Sequence, residues 1–253
     1  MQDFFGTWPF VQAASISKRL AQRRRARGSR LNYTFQFGDV FAAWPDLLRG
    51  AWLTIRLSLY AMVLGLLVAI TCAVGKTGGP RPIRWLINAY IEVVRNTPFL
   101  VQIFFVYFGL PAAGIRVSAD TAALIAMVVN VGAYATEIIR AGIESIGRGQ
   151  IEAGLALNLS KFKVFRHIVL KPALRTVYPA LTSQFILLML TSAVVSAISA
   201  DDLTSVAANL QSTTFRSFEI YIVVTGIYLL MAMAFSFLFR VIYRISFNYP
   251  DRR

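Results

Sequence analysis

The sequence predicts an all-α, polytopic membrane protein, and three observations carry that reading. Hydrophobic residues fill 57% of the 253 positions and charged residues only 15%, whereas soluble domains carry about 25% charged. Crossing about 30 Å of hydrocarbon takes about 20 residues of apolar helix, and Leu53–Val74, Thr121–Ile139, Val177–Ser199 and Phe218–Ile242 each supply such a run. Basic residues also alternate by connection. Lys76, Arg81 and Arg84, then the seven from Arg140 to Arg175, then Arg240, Arg244, Arg252 and Arg253 stand on one side of the implied topology, against Arg116 and Arg216 on the other. That is the sorting of cytoplasmic loops, and it places the C-terminus in the cytoplasm. The formal charge of +14 would fit nucleic acid, but loop sorting accounts for most of it without that partner.

The chain opens with a tail, 1–38, in which Lys18–Arg30 holds seven basic residues. The mildly apolar Phe4–Ile16 before it is interrupted by Gly6, Thr7 and Pro9, which makes a poor span. A signal peptide would carry its charges before the apolar run, not after. Five spans put this tail outside, against the charge rule; it stands as a conflict within the reading. The membrane domain covers 39–245, and 246–253 is a short C-terminal tail.

The first span, 53–74, contains the single cysteine, Cys72. One cysteine excludes an intrachain disulfide and a Cys-based zinc site. The second, 85–110, is broken by Glu92, Arg95, Asn96, Thr97 and Pro98. Glu92 and Arg95 are spaced to neutralise each other on one helix face. Pro98 lacks an N–H and disfavours helix at the residue before it. The pattern predicts a short helix, a break at Asn96–Thr97 and a main span from Pro98. Polar backbone at membrane depth requires a protein or watery surrounding. The third span is 121–139, the fourth 177–199 and the fifth 218–242. Glu137 pairs in spacing with Arg140, which reads as an intrahelical ion pair rather than a site.

Between spans three and four lies a basic, amphipathic stretch, GQIEAGLALNLSKFKVFRHIVLKPALR from Gly149. Gln150–Leu157 favours helix. Asn158 can take the left-handed conformation that ends one, and Ser160 can cap the next. At 100° per residue Phe162, Phe165, Ile168 and Val169 share a face opposite Lys163, Arg166 and His167. Pro172 suits the first turn of the following span. The residues thus predict two short angled helices over 144–172, resting either on lipid headgroups or on a cytoplasmic protein. Glu152 beside small residues favours protein.

Val74-Gly75-Lys76-Thr77 looks like the end of a phosphate loop, but that motif needs a glycine where Ile70 stands. No ATP site and no cofactor are therefore expected in this chain. No catalytic or metal constellation is legible: the one histidine, His167, has no partner, and no carboxylates cluster within a span. Asn130, Gln102, Gln184, Thr191 and Ser192 are polar points on spans. Each can glue helices together, and a subset can line a path for a polar solute. An ATP-independent secondary transporter would need its own ion site, usually within internal repeats; five spans do not halve and no repeat is visible.

Glu152-Ala153-Gly154, Asn158, Ile168, Leu170 and Pro172 resemble the EAA loop of permease subunits of bacterial ABC importers: Glu-Ala-Ala, three residues, Gly, nine residues, Ile-x-Leu-Pro. Gly154 stands for the second Ala, Asn158 for the Gly, and Lys171 precedes the proline. YIEVVRNTPFLVQIFFVYFGLP from Tyr90, GAYATEIIRAGIESIGRGQ from Gly132, and Thr191-Ser192 with Asp202-Leu203 are similar to the polar-amino-acid (His/Gln/Glu/opine type) permeases. The similarity runs from about Asp39 to about Tyr243. It implies the type I importer fold in the bacterial inner membrane. It also implies a second permease subunit, identical or paralogous, two ATPase subunits, an extracytoplasmic solute-binding protein and a polar amino acid or derivative as substrate. It assigns Glu152, Ala153 and Gly154 to ATPase contact, Asn158 to the bend, and Leu170 and Pro172 to the return into the membrane.

Overall fold

The computed structural model describes residues 34–247, apart from the side chain of Lys161. The basic cluster Lys18–Arg30 and the end of the C-terminal tail lie outside the described residues. All elements below belong to the unit that starts at Phe37.

The described chain is helical. After the short α1 (Gly38–Ala42), α2 runs for 35 residues from Trp44 to Gly78. It contains the expected first span and starts nine residues earlier, because Pro45 sits at a position where its missing N–H costs nothing. Its buried side is nearly all small: Gly50, Ala51, Thr54, Ser58, Ala61, Gly65, Ala69 and Ala73 recur at helical spacing. Small residues let helix backbones approach closely in a membrane, and α5 (Ala119–Glu144) packs along this stripe with Ala122, Ala123, Ala126 and Ala133 buried. Ser118 caps α5, its Oγ accepting from the Thr121 N–H at 3.2 Å.

The second span is broken where the sequence predicts. Helix α3 (Arg81–Arg95) stops, Asn96–Pro98 turn, and α4 (Phe99–Ala112) leaves at 111°. Neither half is long enough alone: the 14 residues of α4 reach about 21 Å. Yet the pair must cross. Lys76 Nζ meets Glu137 Oε1 at 2.5 Å, so the C-terminal ends of α2 and α5 stand at the same level, and only α3 and α4 can carry the chain back between them. Glu92 and Arg95 do not pair. The Arg95 guanidinium lies instead over the Tyr134 ring of α5, 5.3 Å from its centroid.

Helix α6 (Arg148–Ala156) and α7 (Lys161–Val164) follow, and α7 passes without a break through a π-turn (Phe165–Val169) into α8 (Leu170–Thr191). The separate start expected at Pro172 is absent. Pro172 sits in the first turn of α8 as a continuation. The wide turn just before it, with Leu170 N–H bonded five residues back to Phe165, keeps the chain helical where a proline weakens the ladder. The turn also shifts the apolar face. Val164 and Val169 are buried with Ile168 half-buried, while Phe162 and Phe165 are exposed; i→i+5 bonding breaks the 100° step on which the expected face relied. Beyond Thr191 the helix tightens into a seven-residue 3₁₀ segment (Ser192–Ile198) that ends at Ser199 with φ 59°. Helix α9 (Leu203–Thr214) is too short to span, and α10 (Ser217–Ser246) closes the fold.

The hydrogen bonds sort the ends of the bundle. Thr54, Asp120, Asp201, Asp202 and Tyr228 meet at one, the α9 end. Lys76, Glu137 and Arg140 meet at the other, and α6 and α7, which carry the basic stretch, follow directly from α5 there. It is called the basic end below.

Candidate functional site

Polar groups combine with departures from regular helix at the α3–α4 break beside α5, at the α6–α7 loop at the basic end, and where α8 passes into 3₁₀ geometry. At the break Pro98 brings no N–H, so the Val94 carbonyl loses its helical partner, while the Glu92 carbonyl keeps the Asn96 N–H at 3.1 Å. Side chains bond three of the carbonyls here. Asn96 Nδ2 donates to the Glu92 carbonyl at 2.8 Å and Thr97 Oγ1 to Val93 at 2.8 Å. Gln102, a turn into α4, donates from Nε2 to the Val94 carbonyl at 2.7 Å, four residues before the proline. The same Nε2 lies 3.0 Å from the Thr97 carbonyl and 3.0 Å from its hydroxyl. Gln102 Oε1 accepts from Asn130 Nδ2 of α5 at 3.0 Å. A turn away, Tyr90 Oη donates to the Val129 carbonyl at 2.6 Å. Gly132 makes room for it: a Cβ there would stand 2.8 Å from that hydroxyl and 2.9 Å from Val68. Gln102 and Asn130, separate points in the sequence, are thus one pair.

The remaining polar points lie on α8 and at its end. Thr191 and Ser192 flank the change from α to 3₁₀ geometry, and their hydroxyls bond back to Leu188 (3.1 Å) and Met189 (2.7 Å). Gln184 is half-buried on α8, away from the Gln102–Asn130 pair in hydrogen bonding. An apolar cavity of about 410 Å³ lies toward the basic end, among Leu66, Ile70, Ile139, Val169, Leu181 and Phe185. With no polar lining it offers nothing to a zwitterion.

In the loop, α6 ends at Leu157 and Asn158 takes φ 57°, the left-handed conformation that Asn tolerates better than most residues. Ser160 Oγ accepts from the Lys163 N–H at 3.4 Å, a long cap. Gly154 is buried, facing Ile168 and Val164 of the returning segment. Glu152 and Ala153, two residues and one residue earlier, are exposed, as are Leu157 and Phe162 at 77% and 68%. Leu170 is just exposed and starts α8; Pro172 is exposed two residues on. Above the loop, Glu137 bridges Lys76 and Arg140 (2.9 Å), and Arg140 also meets Glu144. The Glu137–Arg140 spacing was legible; Lys76, 61 residues away, carries no local signal.

At the opposite end a buried cluster joins three helices. Asp202 caps α9, with Oδ1 accepting from the Ser205 N–H at 2.7 Å, and Ser205 Oγ accepts in return from the Asp202 N–H at 3.0 Å. Tyr228 Oη of α10 lies 3.3 Å from Asp202 Oδ2, and the Leu203 N–H donates to Thr54 Oγ1 of α2 at 3.0 Å. Burial pushes the Asp202 carboxyl above its ordinary pKa, partly offset by hydrogen bonds from Ser205, Thr204 and Tyr228. Sequence reasoning noted Asp202 but not Thr54 or Tyr228, whose partners are far along the chain.

Residues 61–247 match the family described as binding-protein-dependent transport system inner membrane component. The chain is 34% identical over 212 residues to the glutamine transport system permease protein GlnP of Escherichia coli K12, covering 81% of this chain and 95% of that one. It is 33% identical over 202 residues to the L-cystine transport system permease protein TcyB of Bacillus subtilis 168, covering 79% and 86%. A crystal structure of an amino acid ABC transporter with histidines superposes with a TM-score of 0.78 at 36% identity, over 84% of this chain and 99% of that one. The inward-facing MetNI methionine ABC transporter shares the fold, with a TM-score of 0.63 at 21% identity over 79% and 95%.

Proposed function

This chain belongs to the family of inner membrane components of binding-protein-dependent transport systems, and from that premise we propose how it works. It is the multi-pass permease subunit of an ATP-driven importer for polar amino acids, and not itself an enzyme. Two permease subunits, identical or paralogous, form the path in the bacterial inner membrane. Two ATPase subunits, which bind ATP and magnesium, dock on the cytoplasmic loops, and an extracytoplasmic binding protein delivers the solute. The substrate is an amino acid or a derivative of one; glutamine and cystine are the solutes named for the relatives.

The loop is the coupling element in this reading. Glu152 and Ala153 present a small, acidic surface to the ATPase. Gly154 lets α6 close onto the returning helix, Asn158 sets the angle between them, and Leu170 and Pro172 carry the stroke into α8. The observation that carries the assignment is the exposed Glu152–Ala153 pair on a helix held by a left-handed turn at Asn158. Gln102, Asn130, Gln184, Thr191 and Ser192 serve the solute path where helices α4, α5 and α8 leave regular geometry or carry polar groups. ATP-driven closure of the ATPases moves the loop and switches access from one side to the other. The reading is tested by Glu152→Arg. The ATPase should no longer copurify with the chain and uptake should cease; uptake that persists without a bound ATPase would sink it.

A further inference from the structure

We infer that Gln102 is a positioning residue of the translocation path, fixing the α3–α4 break to α5 so that the break turns when α5 moves. The inference rests on the permease reading above. One amide joins three helices. Gln102 is carried by α4; its Nε2 reaches the Val94 and Thr97 carbonyls at the end of α3, and its Oε1 holds Asn130 of α5. The bond to Val94 stands where a helix would use the N–H of residue 98, which Pro98 lacks. The Glu92, Val93 and Val94 carbonyls before the break are thus all bonded, and the chain bends there at 111°.

The contacts to α5 lie within six residues. Val129 receives Tyr90, Asn130 holds Gln102, Gly132 admits the Tyr90 hydroxyl, and Tyr134 lies under Arg95. Helix α5 continues to Glu144, and only Ser145–Gly147 separate it from α6. A displacement of α6 therefore has a short rigid route to the break. Of these contacts the Gln102–Asn130 bond joins two amide side chains, so it can be removed without altering a backbone or a ring.

The test uses the complete importer in proteoliposomes: this chain, its partner permease, ATPase and binding protein. Uptake of L-glutamine, L-histidine and L-cystine is measured beside ATP hydrolysis. Gln102→Glu keeps the shape and removes the donor to Val94 and Thr97; Asn130→Asp removes the donor to Gln102. Each should lower solute moved per ATP by about tenfold or more while hydrolysis stays within about twofold, since a small misplacement far from the docking surface costs the step it positions. Unchanged solute per ATP in both variants overturns the inference, as does a loss that only follows failed assembly, read from ATPase copurification and thermal unfolding. Wild-type uptake that needs no ATP overturns the permease reading, and this inference with it.

Discussion

Asp202 closes α9 from a position sealed from solvent, and its ionisation there opposes the fold. Its pKa is raised in the folded state by burial, so the native protein binds the proton more tightly than the unfolded chain does. Stability from this group is greatest below the unfolded value, and falls as pH rises through the folded one. Ionisation is thus a cost set against the hydrogen bonds from Ser205, Thr204 and Tyr228. Asp202→Asn keeps an acceptor for the Ser205 N–H and removes the charge. It should unfold at the same or higher temperature than wild type at pH 7.5 and lose the decline above the acid range. Asp202→Ala leaves the α9 N-terminus uncapped and should cost about 1 kcal/mol, within the range for N-cap loss. Thermal unfolding of the purified protein at several pH values checks both. The same residue shows what a sequence can hide: the capping spacing to Ser205 is local, but Thr54 and Tyr228 arrive from helices far along the chain.

At the scale of elements, the loop depends on the close fit of α6 against the returning helix. A Cβ on Gly154 would meet Ile168 Cδ1 at 2.4 Å and Val164 Cγ2 at 3.2 Å. Gly154→Ala asks the flexible end of Ile168 to move and Val164 to give by a few tenths of an ångström, and should be tolerated. Gly154→Leu should push the two helices apart, costing about 1–3 kcal/mol as overpacking does, and should uncouple ATP hydrolysis from uptake in the reconstituted complex. The elements were legible in proportion to how local their causes are. Pro98 among Asn96 and Thr97 announced the break, and Asn158 with Ser160 announced the turn. The π-turn was not legible, because its register is set jointly by Pro172 and by packing against Gly154. Nor was the partner of Arg95: i,i+3 spacing suggested Glu92, and the tertiary approach of Tyr134 overrode it. Of the five polar path candidates, composition could pick out Gln102 and Asn130 but not their mutual bond across 28 residues.

For the whole molecule, five crossings follow from which ends meet: Lys76 with Glu137 at the basic end, Thr54 with Leu203 at the other. The excess of Lys and Arg at the basic end predicts that it faces the cytoplasm. A fluorescent protein fused after Arg253 should fold and fluoresce, and alkaline phosphatase at the same point should be inactive; the reverse pattern would invert the topology. The broken span also bears on how the chain enters the bilayer. Helices α3 and α4 are made before α5, yet Asn130 on α5 completes the polar bonding of their bend, and Tyr90 on α3 finds its acceptor, the Val129 carbonyl, there too. Without α5 the hairpin would leave the Gln102 Oε1 and the Tyr90 hydroxyl unmatched, so the last polar partners of this span are supplied by a helix made after it.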